Sequence, residues 1–138
     1  MGQTDPITEL LRQAKTIAVV GLSDTSRRPS YGVARYLQRC GYRIVPINPN
    51  IREVLGEKAC PSLVDVPPEV KIDIVDVFRR SEYLPSIVAQ AIQRRVPAVW
   101  MQEGIIHELA AESARQAGIL VVMDRCILKE HQARFKAV

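Results

Sequence analysis

Cysteine is scarce in this chain. The three present, Cys40, Cys60 and Cys126, are widely separated, an odd number that excludes a fully paired disulfide framework and a spacing that fits no zinc template. Aromatic residues are equally sparse, seven in 138. Neither a stacking motif nor a zinc finger accompanies them, so the sequence gives no sign of a nucleic-acid partner. Apolar runs are short, and none approaches the roughly 20 residues that cross a bilayer, so no membrane partner is expected. The opening Met-Gly-Gln-Thr-Asp-Pro lacks the basic and apolar regions of a secretory signal, which predicts a cytoplasmic protein. Internal repeats and charge blocks are also missing. The net charge of +4 is spread along the chain, which suits a small anionic partner.

What is present alternates. Apolar runs of strand length at Ile17–Val20, Tyr42–Ile47, Ile72–Val77, Pro97–Met101 and Ile119–Met123 are separated by segments of helical periodicity. A sixth, short strand is expected near Cys60–Leu63, after a helical turn around Val54-Leu55. Asp5 and Pro6 read as the cap and first turn of a helix carrying Ile7, Leu10, Leu11 and Ala14. From Ser30 a second helix places Val33, Ala34, Leu37 and Cys40 on one stripe, with Gly41 as its stop. A third follows Ser81 and buries Leu84, Ile87, Val88, Ala91 and Ile92. A fourth, from about Ile105, buries Ile106, Leu109, Ala110, Ala114 and Ala117. The pattern predicts one α/β domain over 1–138: a Rossmann-like doubly wound parallel sheet, strand order 3-2-1-4-5-6, with helices on both faces.

In that order the loops after the first and fourth strands flank one crevice at the strands' carboxyl ends. The first loop is built for an anion. Gly21 lets the backbone approach a ligand, Ser23, Ser26 and Ser30 offer hydroxyls, and Arg27 and Arg28 precede a helix N-terminus that carries partial positive charge. The fourth strand delivers Val77, Phe78 and Arg79 to the opposite wall. A G-x-G-x-x-G fingerprint is missing, because Gly21 is followed by Leu22, Ser23 and Asp24. The second strand ends in Asn48-Pro49 where an NAD site would carry an acid, an end that tolerates a phosphorylated ribose. The histidines, His107 and His131, have no Ser or Cys beside them in sequence and no catalytic constellation is recognisable. Arg94 and Arg95, at a helix end, read as a solvated pair that complements the helix dipole.

With these segments assembled, the chain resembles the small stand-alone CoA-binding proteins related to the CoA-binding domain of the succinyl-CoA synthetase α subunit. The likeness rests on V-V-G-L-S with R-R-P-S-Y-G-V-A-R-Y-L, then G-Y-R-I-V-P-I-N-P-N, L-G-E-K, D-I-V-D-V-F-R-R, V-W-M-Q-E-G-I and M-D-R-C, in the family's order. It implies coenzyme A as cofactor. The pyrophosphate would lie on the backbone of Gly21, Leu22, Ser23 and Asp24, with Arg28 and Ser30 beside it. The nucleotide end would lie near Asn48, Pro49 and Arg52, and Val77, Phe78 and Arg79 would line the far side. Three functions compete: a CoA or acyl-CoA carrier or sensor that works alone, with a protein partner or as a homo-oligomer; a CoA- or NAD(P)-dependent enzyme completed by a partner; and an interaction module with a vestigial crevice.

Overall fold

The computed structural model describes residues 5–135. Strands β1 (Thr16–Val20), β2 (Arg43–Ile47), β5 (Ile74–Val77), β6 (Ala98–Met101) and β7 (Leu120–Val122) form one parallel sheet in the order β2-β1-β5-β6-β7. The third strand of the expected order, near Cys60–Leu63, shrinks to one parallel bridge, Cys60 to Ile47, on the outer side of β2. Its position is the expected one. Its length is lost because the chain just before it is committed elsewhere: β3 (Glu53–Val54) and β4 (Glu57–Lys58) pair antiparallel. The helical turn expected at Val54-Leu55 is therefore a hairpin. Leu55 and Gly56, with φ of 55° and 78°, supply the two left-handed residues that a tight hairpin turn requires.

Helix α1 (Pro6–Gln13) starts as the sequence predicts, with the Asp5 carboxylate accepting from Thr8 N at 2.9 Å. It shares one face of the sheet with α2 (Pro29–Arg39) and α5 (Ile127–Arg134), over a core that includes Ile17, Val19, Leu37, Ile74 and Trp100. Helices α3 (Leu84–Gln93) and α4 (Glu108–Gln116) cover the other face, over Ala18, Val45, Val75, Val99 and Met101. Strand residues alternate between these two cores, so every central strand is buried on both sides. Winding reverses between β1 and β5. Among the described residues no helix is long and apolar enough to cross a membrane.

Three helical expectations are corrected. Cys40 lies exposed at the end of α2, outside the buried stripe. Helix α4 begins a turn late, because the extended backbone at His107 makes it the N-cap, its Nδ1 accepting from Ala110 N at 3.0 Å. Ala110, Ala111 and Ala114 are its buried residues, whereas Ile106, Leu109 and Ala117 are exposed, as is Ile92 on α3. Arg94 is not a solvated partner of Arg95. Its guanidinium donates to the carbonyls of Leu63 (3.4 Å), Val66, Pro67 (3.2 Å) and Val70 (3.1 Å). Gln90 Oε1 accepts from Leu63 N nearby, so α3 holds the 63–70 loop.

Candidate nucleotide crevice

Strand β1 runs into Gly21, whose φ of +86° turns the chain sharply out of the sheet. The turn is pinned on both sides. Gly21 N donates to Ile47 O at 2.8 Å, from the end of β2, and Phe78 N donates to Val20 O at 2.8 Å, from the end of β5. A Cβ on Gly21 would stand 3.0 Å from Arg79 Cδ and 3.3 Å from the Phe78 carbonyl carbon. Glycine is thus required twice, for conformation and for room.

The next residues are folded back toward α2. Ser23 N donates to Ser30 Oγ at 3.0 Å, Ser23 Oγ accepts from Thr25 N at 3.0 Å, and Arg28 N donates to Thr25 O at 3.0 Å. Ser30 is buried in the first turn of α2, and the helix has no side-chain cap because Arg28 occupies the N-cap position. Pro29 has no amide and Tyr31 N donates to Arg28 O at 3.1 Å, which leaves the Ser30 amide and the partial positive charge of the helix start at the loop. A cleft of about 350 Å³ opens there, lined by Gly21, Ser23, Arg28, Pro29, Ser30 and Phe78. Five of the residues expected from sequence therefore meet in one place.

Arg79 forms the partition. Its stem lies over Gly21 and its guanidinium stacks on the Tyr83 ring, 4.1 Å from the centroid, a cation–π contact. On its other side a second cleft of about 130 Å³ is lined by Val20, Ile47, Ser62, Tyr83 and Gln90 among others. Tyr83 was not anticipated. Its sequence signal is the four-residue spacing from Arg79. Neither Arg28 nor Arg79 has a carboxylate partner among the described residues, so both cations at the crevice are available to an anion.

The other expected residues are placed differently. Asn48 sits at the end of β2 with its amide committed: Nδ2 donates to Leu22 O at 2.9 Å and Oδ1 accepts from Asn50 N at 2.9 Å. It positions the loop. Leu22 and Val77 have wholly buried side chains, in opposite cores. Leu22 can therefore offer a ligand its backbone alone, and Val77 lies beneath the crevice instead of lining it. Asp24, Pro49 and Arg52 are exposed and outside the lining of the cleft; Arg52 is tied through its carbonyl to Ala59 N, at 2.8 Å.

Below Phe78 on the same face of β5 is Asp76, fully buried, with both carboxylate oxygens unpartnered among the described residues. Burial pushes its carboxyl well above the usual range. Asp73, on the other register, is conventional: its Oδ2 accepts from Lys15 N and Thr16 N at 2.9 and 3.0 Å. His107 is spent as a helix cap. His131 is packed against Tyr36 and Phe135, 2.7 Å from Tyr36 Oη, and burial lowers its pKa. Cys126 is partly buried against the α1/α2/α5 core. No group of three or more His, Cys, Asp or Glu among the described residues is placed to hold a metal ion.

A doubly wound parallel sheet whose glycine turn meets a basic helix start at the winding reversal defines a Rossmann-like α/β domain. More narrowly, the chain belongs to the CoA binding domain family, which matches residues 15–132. It is 44% identical over 125 residues to the uncharacterized protein YneT of Bacillus subtilis, covering 91% of each chain. It is also 32% identical to part of the ADP-forming acetate–CoA ligase II of Archaeoglobus fulgidus, over 68% of this chain and 14% of that much longer one. The structure matches the redesigned PH1109 protein with a TM-score of 0.93 at 38% identity, over 99% of this chain and 96% of that one. A Thermus thermophilus protein gives 0.87 at 41%, over 92% and 95%.

Proposed function

We propose that this chain binds coenzyme A in the crevice between the Gly21 loop and Phe78-Arg79, and serves as a carrier or sensor of CoA or an acyl-CoA without chemistry of its own. The observation that carries this reading is the pair of unpaired cations, Arg28 and Arg79, on either side of a glycine that admits a ligand to the backbone. The pyrophosphate lies against Gly21, Leu22 and Ser23 at the α2 N-terminus, with Arg28 as its side-chain partner. Arg79, already turned on Tyr83, reaches it from the other wall. Charge-assisted bonds of this kind contribute about 1.5–3 kcal/mol each, so a few of them give micromolar affinity after ordering costs. The neutral Asn48-Pro49 end of β2 leaves room for a ribose that bears phosphate, where a carboxylate would repel it.

The test is a thermal-shift and calorimetric titration with CoA, dephospho-CoA, NAD and ATP. At a hundredfold excess over its dissociation constant CoA should add about 2.7 kcal/mol of stability, with the others well behind. Arg28→Glu should abolish the shift while leaving the unliganded melting temperature in place. Equal binding of dephospho-CoA would refute the account of the ribose end, and indifference to CoA at low salt would refute the whole reading.

A further inference from the structure

We propose that the outer face of α3 and α4 is a self-association surface that seats a second copy of this chain across a two-fold axis. Helix α3 has ten residues, LPSIVAQAIQ, and not one is charged, although its outer side faces solvent. Pro85, Ala89 and Ile92 are its exposed apolar residues, with Ser86 and Gln93 exposed beside them. On the neighbouring helix and its approach, Ile106 is 45% exposed and Leu109 78%, with Ile92 at 37%. Between the helices runs a groove of about 340 Å³ whose lining includes Val88, Ala89, Ile92, His107, Leu109 and Ser113. Single exposed leucines are ordinary. An uncharged helix beside a protruding leucine and a groove of the same chemistry is a contiguous apolar patch, the kind that marks an interface.

The occupant follows from how the patch matches itself. Helices α3 and α4 each precede a strand of the same parallel sheet, so they run parallel, with their N-termini at one end. Leu109 stands at the N-terminal end of the pair and Ile92 at the C-terminal end. A two-fold axis across the groove turns one copy antiparallel to the other and brings each Leu109 toward the partner's Ile92. Charge agrees with this placement. Glu82 and Glu108 lie toward the N-terminal end and Arg95 toward the C-terminal end, all exposed and none in an ion pair among the described residues, while Glu112 stands midway along α4 and Arg115 faces the cleft beside β7. Arg80 is the exception to this division. The antiparallel copy therefore sets acidic ends against basic ones. Helices of ten and nine residues make a small interface beside the roughly 800 Å² per partner of a standard one, so the dimer is reversible, with a dissociation constant of about micromolar.

Sedimentation velocity of the full chain without CoA, from about 1 to 500 μM, spans that range. A concentration-dependent monomer–dimer equilibrium is expected. Leu109→Arg and Ile92→Glu should each weaken association by about tenfold or more while leaving circular dichroism and the CoA titration unchanged, because both side chains face solvent in the single chain. The double variant, which places opposite charges where the two side chains meet, should recover part of the loss. A monomer at every concentration would overturn the proposal and leave the face to a different protein. A dimer that survives both single variants would overturn it by placing contact elsewhere. Neither result bears on CoA binding, which is read separately.

Discussion

Arg79 lies across Gly21, its Cγ 3.2 Å and its Cδ 3.0 Å from where a Cβ on that glycine would stand. The two residues come from the ends of neighbouring strands, β1 and β5, and each limits what the other can do. Glycine leaves the space that the arginine stem fills, and the stem carries a cation to the mouth of the crevice.

Gly21→Ala therefore acts on both. An alanine at φ +86° is strained by roughly 1–2 kcal/mol, and its methyl pushes Arg79 off its seat. Urea unfolding should report the stability loss. CoA titration should report a larger loss of affinity than Ser26→Ala causes, and equal effects of the two substitutions would remove Gly21 from the site.

Asn48 tests the loop from the β2 side. Asn48→Asp puts an acceptor opposite the Leu22 carbonyl that the amide now serves, at a cost of about 1–3 kcal/mol for the unmet group. The new charge should also depress CoA affinity more than dephospho-CoA affinity. Asn48→Ala should weaken both ligands alike.

Asp76 sets a pH dependence. Its folded-state pKa is raised by burial, so between the unfolded value of about 3.9 and the folded one the native chain holds a proton that the unfolded chain has released. Its contribution to stability is complete below about pH 3.9 and is lost as pH rises through the folded pKa. The stability difference between wild type and Asp76→Asn, measured by urea unfolding from pH 4 upward, should move steadily in favour of the variant. A difference flat with pH would show that the carboxyl is ionised in the folded state.

Arg94 should matter for folding and not for ligand. Arg94→Met removes the donor to the carbonyls of the 63–70 loop and should cost about 2–3 kcal/mol. Limited proteolysis should then cut within residues 63–70 first.

His107 is the test of a helix cap. His107→Ala should cost about 1 kcal/mol through the Ala110 amide it leaves unpaired, while His107→Asn, which caps as well, restores stability. CoA binding should be unaffected by either.

Much of this architecture is legible before any coordinates, for reasons that differ by residue. Runs such as Ile17–Val20 and Pro97–Met101 are apolar because both faces of the strand are covered, and Asp5 and Gly41 mark helix ends by their chemistry. Strand order then brings Gly21 and Phe78-Arg79 together without any local signal. Periodicity is less informative about what covers a face. Leu109 and Ile92 repeat at helical spacing as core residues do, yet both are exposed. Leu55 at φ 55° gives no warning of a hairpin, since leucine seldom enters that region. Arg94 sits where a dipole partner would, and its real acceptors lie 24 to 31 residues away. Asn48 was legible as a neutral strand end, but its hold on Leu22 is a tertiary contact that spacing cannot reveal.

The brevity of the strand expected near Cys60–Leu63 leaves the sheet with a raw margin along β2. Arg43 N and Ile47 O bond inward, so the outward-facing main chain belongs to Ile44 and Pro46. Cys60 already occupies the Pro46 carbonyl, and proline has no amide to offer. An incoming strand would find one complete donor–acceptor pair, at Ile44, with Arg43 and Lys58 flanking it. Pro46 thus guards the protein against the edge-to-edge strand addition that builds fibrils.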